Sequence, residues 1–406
     1  MYKFCITVII TPKKESRTTM KNLTQFGIEN PVLLMETLHN IGKKDLVNLV
    51  KNFYPPEIRK QLRTWGIKDA AEMIGKSRSS IKAFEIKKEI PTAPRDEKGK
   101  KQYSLELINT IRDTLGTRFK KPSHLDPIVC CTLNFKRRSG KSITSLLLSQ
   151  YLAIQGLKVL GIDLDPQATF TSWFGYIPDI DFSKNHTIRT ILLENNYDIE
   201  NVITKTYFTG IDIIPSNLEL EESELALPYC SDQQLLGGNP LKKLDKALNK
   251  VKNNYDVIII DCPPRTGALT MNAISAANAA LISLPPSISD FASFIKLTKI
   301  LQNIFKATKP DHLDFFRILL TKHKGDSNAN RVDQLIRKLS GEYTLVNHMV
   351  DFAEIDNNVS TLASIYEKPY VTNSLIYKRA LATCNKASNE IFSAFKEIWS
   401  ANKNTF

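Results

Sequence analysis

Cysteine is scarce in this chain of 406 residues, and its placement argues against two kinds of site. The six cysteines are scattered and form neither a CxxC pair nor a cluster with histidine. We therefore expect no structural zinc site and no disulfide framework, a pattern typical of a reduced, cytoplasmic protein.

Long apolar runs are also missing. No segment approaches the roughly 20 apolar residues that a membrane-spanning helix needs. The first residues, MYKFCITVIITPKK, lack the length and the cleavage site of a secretory signal. We expect residues 1–20 to form a disordered tail, with Met20 as an alternative start, and we predict no membrane attachment.

Acidic residues are too few to balance the basic ones. Lysine and arginine number 55 against 42 acids, a net charge of +13. Such a surplus favours a polyanionic partner: nucleic acid, an anionic membrane surface or a nucleotide. A generally basic surface would give the same count without any partner, but we take nucleic acid as the first prediction.

The chain is too long for one ordinary core, and three zones can be distinguished. Residues 1–56 contain the tail and, over 33–53, apolar positions at helical spacing. That spacing predicts a dimerisation helix, although a simply packed amphipathic helix would look the same. Residues 57–122 are basic and helical, and residues 123–406 form the third zone.

The third zone alternates short apolar strands with helical patterns from Ile128 onward. This alternation predicts an α/β fold with a parallel, doubly wound sheet covered by helices on both faces. Residues 375–400 are expected to form a closing amphipathic helix.

The stretch 64–91 in the second zone has the pattern of a helix-turn-helix. Gly75 would break the chain, and Ser77 would cap the second helix. The start of such a helix enters the DNA major groove. The predicted DNA-binding residues are Ser77, Arg78, Ser80, Lys82 and Lys87, and residues 92–102 would form a wing. A generic helical hairpin with a solvated basic face is the competing interpretation.

The stretch NFKRRSGKS, residues 134–142, lies between a predicted strand and a predicted helix. A phosphate-binding loop needs this order, because backbone N–H groups and the positive end of the helix must face the anion. Lys141 would bind the phosphates, and the Ser142 hydroxyl would bind Mg²⁺. The first glycine of the GxxxxGK[ST] motif is replaced by Phe135, so this stretch alone is also consistent with a basic strand-to-helix turn.

Acidic residues at two further strand ends support the nucleotide hypothesis. Asp163 and Asp165 follow one apolar strand, and Asp261 ends the apolar strand YDVIIID. The carboxyl ends of parallel strands form the ligand crevice of such sheets, and an acid there can support Mg²⁺. Each acid could instead cap a helix.

Taken together, these segments resemble the ParA family of DNA-partition ATPases with a deviant Walker motif. Within the family, they are closest to the larger, SopA-like type with an N-terminal winged helix-turn-helix. The family pattern KGGxxK[ST] falls on residues 136–142, DxDPQ falls on 163–167, and the Walker B acid falls on Asp261. The blocks 210–220 and 284–293 are similar to further family segments.

The resemblance implies a role for each matching residue. The nucleotide-binding residues would be Lys136, Arg137, Arg138, Ser139, Gly140, Lys141 and Ser142. Lys136 matches the signature lysine, which reaches the ATP of a dimer partner. Catalysis would involve Lys136, Lys141 and Asp165, the last by positioning the attacking water. Mg²⁺ would be supported by Ser142, Asp163 and Asp261.

Arg137 and Arg138 depart from the family, which carries two glycines there. Glycine allows a left-handed backbone and close approach to phosphate. Arginine could bind phosphate by charge instead, or it could leave a loop that binds or hydrolyses nucleotide poorly. The resemblance therefore implies a weak ATPase that a partner stimulates, using ATP and Mg²⁺.

The implied function is plasmid partition by an ATP-loaded dimer that binds DNA without sequence preference and acts with a ParB-type centromere-binding protein. The protein would be cytoplasmic and nucleoid-associated, and it would repress its own operon through the helix-turn-helix. Candidate basic residues for non-specific DNA binding are Lys322, Lys324, Arg331, Lys378 and Arg379. Two alternatives remain open at this point: a repressor with a degenerate nucleotide pocket, and a membrane-positioning ATPase similar to MinD.

Overall fold

The computed structural model describes residues 31–53, 60–194, 197–227, 239–308, 313–350, 363–367 and 375–401. The tail expected over residues 1–20 lies outside these ranges. The chain divides into two compact units, residues 1–59 and 60–406. The first unit is described through one helix, α1 (Pro31–Phe53), as expected from the helical spacing over 33–53. Dimerisation through this helix stays a prediction.

The second unit begins with a small helical module. Its helices are α2 (Ile67–Ile74), α3 (Arg78–Ile86) and α4 (Leu105–Thr114). Gly75 ends α2 in a left-handed conformation with φ 76°. The Ser77 hydroxyl caps α3 by accepting a hydrogen bond from the Ser80 N–H at 3.1 Å, which satisfies one of the free donors of the first turn. The turn residues expected from the sequence therefore have their predicted roles.

The segment predicted as a wing forms a short antiparallel turn between α3 and α4. Arg95 pairs with Lys101, and Tyr103 pairs with Trp65. A buried carboxylate of α3, Glu85, holds this turn in place. It accepts hydrogen bonds from the Ala93 N–H at 3.2 Å and the Tyr103 hydroxyl at 2.9 Å, and it pairs with the Lys101 ammonium.

The Glu85 contacts are strong enough to change its acidity. Burial by itself would raise the pKa of Glu85, but the hydrogen bonds from Lys101, Ala93 and Tyr103 outweigh it and lower the pKa below its usual range. The carboxylate is therefore stabilised in its ionised form, so its contribution to stability is present above the unfolded pKa and is lost as the pH falls through the lowered folded value.

Replacing Glu85 by alanine is expected to loosen the wing. The change leaves a buried N–H and a buried hydroxyl without their acceptor, which costs about 3 kcal/mol. Amide hydrogen exchange across residues 93–103 measures the free energy of local opening. Glu89→Ala, at an exposed position near the end of α3, is the control. Equal effects of the two substitutions would contradict this account.

A seven-stranded sheet forms the centre of the remaining chain. Its order is β3-β4-β2-β5-β1-β6-β7. The strands are β1 (Ile128–Leu133), β2 (Val159–Asp163), β3 (Thr204–Lys205), β4 (Ile211–Ile214), β5 (Val257–Asp261), β6 (Ala279–Leu284) and β7 (Phe315–Leu320). All neighbouring strands pair in parallel except the short edge strand β3, which the sequence did not predict. The parallel, doubly wound sheet is thus confirmed.

Helices cover both faces of this sheet. They are α5 (Lys141–Ile154), α6 (Thr169–Trp173), α7 (Pro178–Asp181), α8 (Ile188–Leu193), α9 (Glu221–Ala226), α10 (Lys243–Leu248), α11 (Ala268–Ala276), α12 (Ile288–Thr308), α13 (Ser327–Ser340) and α14 (Leu375–Ala401). None of the described helices is long and apolar enough to cross a membrane.

Two apolar cores form because successive strand residues point to opposite faces. In β1, Ile128 and Cys130 join the core that contains α5, α14 and the helical module. Val129, Cys131 and Leu133 join the core beneath α8 and α10–α13. Because both faces of β1 are covered by apolar cores, the polar residues predicted for the site lie at the carboxyl ends of the strands, where the ligand crevice of such a sheet forms.

Candidate nucleotide site and DNA-binding surfaces

The polar residues predicted at three strand ends come together at the carboxyl edge of the sheet. Strand β5 lies between β1 and β2, which brings Asp261 opposite Thr132 on one side and opposite Asp163 on the other. The loop 134–140 leaves the same edge and leads into α5. The neighbourhood that the sequence predicted is therefore present.

Two side chains that the sequence analysis missed fix the shape of the loop. The Asn134 amide donates to the Ser283 carbonyl at 2.7 Å, and its oxygen accepts the Lys136 N–H at 2.9 Å. The Thr321 hydroxyl donates to the Ser139 carbonyl at 2.7 Å. Both residues follow strand ends, so their position relative to the sheet could have identified them.

Gly140 is required where the loop turns into α5. Its φ is 91°, in the left-handed region that glycine adopts most easily. A Cβ there would also lie 3.3 Å from Thr321 Cβ. As the N-cap residue of α5, Gly140 makes no side-chain hydrogen bond to the first turn, and backbone N–H groups at such a helix start are suited to bind an anion.

The two arginines of the loop differ in conformation. Arg138 takes a left-handed φ of 60°, whereas the φ of Arg137 is not positive. A left-handed non-glycine residue costs about 1 kcal/mol or more. Both side chains are exposed. Arg137 also lines a small cleft with Asp165, Gln167 and Arg265.

The two lysines of the motif, one within the loop and one at the start of α5, have different partners. Lys141 is 6% exposed, and its ammonium lies 3.4 Å from the Lys136 carbonyl. Burial lowers the pKa of Lys141, while the charges of Asp261 and Asp165 oppose this shift. The Lys136 ammonium forms an ion pair with Asp290 at 2.9 Å and donates to the Ser289 hydroxyl at 2.8 Å. In this structure, the predicted signature lysine is thus held by α12 of its own subunit.

Asp261 is fully buried and only half satisfied. Its Oδ1 accepts hydrogen bonds from Ser145 at 2.9 Å and Thr132 at 3.2 Å. Its Oδ2 makes no hydrogen bond to any described residue. Burial raises the pKa of Asp261 to about 6, although the Ser142 hydroxyl and the Lys141 ammonium oppose the shift. A buried, unpaired carboxylate oxygen beside a serine hydroxyl suits a hard cation such as Mg²⁺.

Asp163 and Asp165 have different surroundings. Asp163 accepts hydrogen bonds from the Asp165 N–H, the Thr171 N–H and the Thr171 hydroxyl, at 2.7–3.0 Å. Both of its oxygens therefore brace the loop 164–171, and direct contact with a metal stays a prediction. Burial, followed by the charge of Asp261, raises the pKa of Asp163 well above its usual range.

Asp165 lies closer to the surface of the crevice. It is half-buried, and its Oδ1 accepts the Gln167 N–H at 3.0 Å. Burial raises the pKa of Asp165, whereas the Gln167 N–H and the charges of Lys141 and Arg137 oppose the shift. This carboxylate is accessible and surrounded by cations, which suits a group that positions a water molecule next to phosphate.

The acidic residues of the crevice do not form a complete metal-ligand cluster among the described residues. Among the residues that the structure covers, no cluster of three or more histidine, cysteine, aspartate or glutamate side chains is arranged to hold a metal ion. A cation at Ser142 and Asp261 would need further oxygen ligands, and phosphates commonly supply them to Mg²⁺.

The predicted DNA-binding residues of the module lie around α3. Ser77 and Arg78 are exposed at the start of α3, and Lys82 is exposed further along. Ser80 is half-buried and lies 2.8 Å from the Ser77 hydroxyl. Lys87 is also exposed, but it caps the carboxyl end of α3 and lies far from its first turn.

The second set of basic residues occupies two separate segments. Lys322 and Lys324 follow β7, and Arg331 lies in the first half of α13. Lys378 and Arg379 are exposed in the first turn and a half of α14. A common DNA-binding surface for the two segments stays a prediction.

Comparison with known proteins assigns this chain to a family of ATPases, in agreement with the arrangement of the site. Residues 128–314 match a family model described as an AAA domain. The chain is 31% identical to the protein SopA of Escherichia coli K12 over 379 residues, which cover 88% of this chain and 97% of SopA. The chain belongs to the ParA family of partition ATPases.

Solved structures show the same fold. A partition protein aligns with a TM-score of 0.66 at 19% identity, covering 88% of this chain and 99% of its own. Cobyrinic acid a,c-diamide synthase from Mycobacterium smegmatis, with bound ADP and magnesium, aligns with a TM-score of 0.54 at 21% identity, covering 66% of this chain and 96% of its own. The fold of the partition protein therefore extends over most of this chain.

Proposed function

We propose that this ParA-family protein is an ATP-dependent plasmid partition protein. Its ATP-loaded dimer would bind DNA without sequence preference and act with a ParB-type centromere-binding partner. The helical module would bind operator DNA and repress the protein's own operon. The observation that carries the proposal is the shared crevice of Lys141, Ser142, Asp165 and Asp261, in a chain related to SopA along nearly its whole length.

The crevice fits ATP and Mg²⁺. The uncapped first turn of α5 and the buried Lys141 ammonium would hold the phosphates. The Ser142 hydroxyl and the unpaired Oδ2 of Asp261 would support the cation. The magnesium and ADP bound to the cobyrinic acid a,c-diamide synthase structure agree with this assignment. The bound cation would neutralise charge that develops on the phosphates.

The protein's own groups would carry the reaction by position and charge, because phosphoryl transfer needs little else. Asp165 would orient the attacking water, and Lys141 would neutralise the phosphate oxygens. Lys136 would serve the partner's site only after leaving Asp290, to which it is bound in this structure. ATP hydrolysis would thus begin only after two subunits have formed a dimer.

The DNA function rests on charge and on the shape of the module. Exposed basic groups at Arg78 and Lys82 on α3 could contact phosphates while the first turn lies in the major groove. Non-specific binding by the dimer would release counterions and would therefore weaken steeply with salt.

The nucleotide function is tested by comparing wild type with Lys141→Ala. We expect wild type to bind ATP with Mg²⁺ and to hold non-specific DNA only with ATP. Lys141→Ala should lose at least about 100-fold in ATP affinity, because two or more charge-assisted bonds to phosphate disappear. Equilibrium binding of labelled ATP and a filter assay with plasmid DNA at two salt concentrations measure both. ATP turnover with and without a ParB-type protein then tests partner stimulation.

Lys158→Ala is the matched control, because this exposed lysine precedes β2 at the opposite edge of the sheet. Equally poor ATP binding by wild type and Lys141→Ala would overturn the ATPase proposal. Sequence-specific DNA binding that persists without nucleotide would then favour the second candidate, a repressor with a degenerate pocket, for which the strained Arg138 is the supporting observation.

A further inference from the structure

The helical module is joined to the nucleotide domain by a buried arginine. Arg112, in the last turn of α4, is 3% exposed. Its Nε and Nη2 donate to the Met73 carbonyl at 2.9 and 2.7 Å. Its Nη1 donates to the Ile154 carbonyl at 2.8 Å and to Asn109 Oδ1 at 3.0 Å. One guanidinium therefore connects the last turn of α2 with the last residue of α5.

A second arginine strengthens the same junction. Arg118 Nε donates to the Gly156 carbonyl at 2.7 Å, just beyond the end of α5. Gly156 has a φ of 98°, and a Cβ on it would lie 3.1 Å from Arg118 Cγ and 3.4 Å from Arg112 Nη1. Glycine is therefore needed here both for its backbone conformation and for the space that the two guanidinium groups occupy.

The electrostatics of the junction favour these cations. The carboxyl end of a helix carries partial negative charge and unpaired carbonyls, and Arg112 serves two such ends at once. Burial lowers the pKa of Arg112 to about 10, and the nearby charge of Arg118 acts in the same direction. The guanidinium stays charged at neutral pH, and its rigid planar fork reaches both helices where a lysine ammonium could not.

Helix α5 connects this junction to the proposed nucleotide site. Its first residues, Lys141 and Ser142, are the proposed phosphate and cation ligands, and its last residue meets Arg112. Its 14 residues form a rod about 21 Å long. Stabilisation at the loop end is therefore shared with the groups bonded at the other end wherever the two open as one unit.

We propose that Arg112 is a positioning residue that couples the DNA-binding module to the nucleotide loop through α5. Without nucleotide, it makes the module and the sheet open as one cooperative unit. When nucleotide is bound, a state that rests on the function proposed above, Arg112 couples α2 to α5, so that the added protection of the α5 amides from hydrogen exchange extends to the amides of α2. The recognition helix α3 is thereby held in one orientation relative to the nucleotide crevice.

Amide hydrogen exchange on the full-length protein tests the junction without nucleotide. In wild type, the most protected amides of α2 should open together with those of α5. In Arg112→Met, the protection of α2 should fall at least about tenfold while that of α5 changes less than about threefold. Arg112→Lys should recover only part of the loss. Unchanged protection of α2 in Arg112→Met would overturn the proposal.

A second arm adds Mg²⁺ and AMPPNP, a non-hydrolysable ATP analogue. Wild type should gain protection in both α5 and α2, whereas Arg112→Met should gain it in α5 alone. Gly156→Ala disturbs the junction from the α5 side and should behave like Arg112→Met, while exposed Lys338→Met should behave like wild type. A gain in α2 that survives in both junction variants would refute the coupling.

The two arms separate the failure of this proposal from the failure of the proposed function. If AMPPNP protects neither helix in wild type, nucleotide binding at the loop is wrong, and the nucleotide-free arm alone decides whether Arg112 joins the module to the sheet. If AMPPNP protects α5 but not α2 in wild type, nucleotide binding stands and the coupling is wrong.

Discussion

Asp165→Ala is expected to lower ATP turnover at least about 100-fold, the scale of losing one group that positions or activates a nucleophile. ATP affinity should change less than about threefold, because Lys141 and the first turn of α5 remain intact. Stability should also change little, since Asp165 is half-buried and its carboxylate accepts one hydrogen bond from the part of the chain that the structure describes, that of the Gln167 N–H. Single-turnover hydrolysis and equilibrium ATP binding give the two quantities separately.

Asp163→Ala is the informative contrast to this substitution. It removes the acceptor of three hydrogen bonds inside the protein. We expect it to destabilise the loop 164–171 by about 3 kcal/mol, visible as a lower melting temperature. If Asp165→Ala lost stability as Asp163→Ala does, or kept wild-type turnover, Asp165 would not be the residue that positions water.

The second large effect concerns the two arginines that replace the family's glycines. Arg138→Gly replaces a left-handed arginine with φ 60° by the residue that lets the backbone approach phosphate most closely, so ATP affinity should improve about fivefold, or roughly 1 kcal/mol. Arg137→Gly removes a cation from the cleft beside Asp165, and it should lower turnover about tenfold because less charge opposes the developing phosphate negativity. Removing Arg138 is thus expected to help ATP binding, whereas removing its neighbour Arg137 is expected to slow ATP turnover.

Measuring affinity and turnover for both variants and for the double variant checks this division. Arg137→Lys should keep most of the turnover if charge is what matters, and less if the planar guanidinium is needed. If Arg137→Gly and Arg138→Gly changed ATP affinity in the same direction and turnover in the same direction, the proposed division of roles between the two residues would be wrong.

Much of the fold could be predicted from local patterns. The helix α1, the turn at Gly75, the Ser77 cap, the strand ends at Asp163 and Asp261, and the start of α5 at Lys141 all lie where the sequence placed them. These features depend on periodicity, on capping chemistry and on the glycine conformation, all of which are encoded within a few residues. The edge strand β3 has only two residues, too few to give a detectable pattern.

Contacts between distant segments could not be predicted in the same way. The hydrogen bond from Thr321 to Ser139 joins residues 182 positions apart, and Lys136 meets Asp290 across 154 positions. No local spacing encodes such pairs, because they depend on the order in which the strands are placed in the sheet. The distinct roles of Asp163 and Asp165 were hidden for the same reason: two acids of one short motif differ only in the neighbours that the fold brings to them.

The sequence by itself determined the family, the parallel sheet and the set of charged residues at its edge, because strand length, apolar alternation and short motifs are local properties. Only the tertiary structure decided that one oxygen of Asp261 has no hydrogen-bond partner among the described residues, that Lys136 is held by its own subunit, and that Arg112 joins α2 to α5. Each of these follows from burial and from which polar groups remain to be satisfied once distant segments have packed, and a linear chain does not specify that directly.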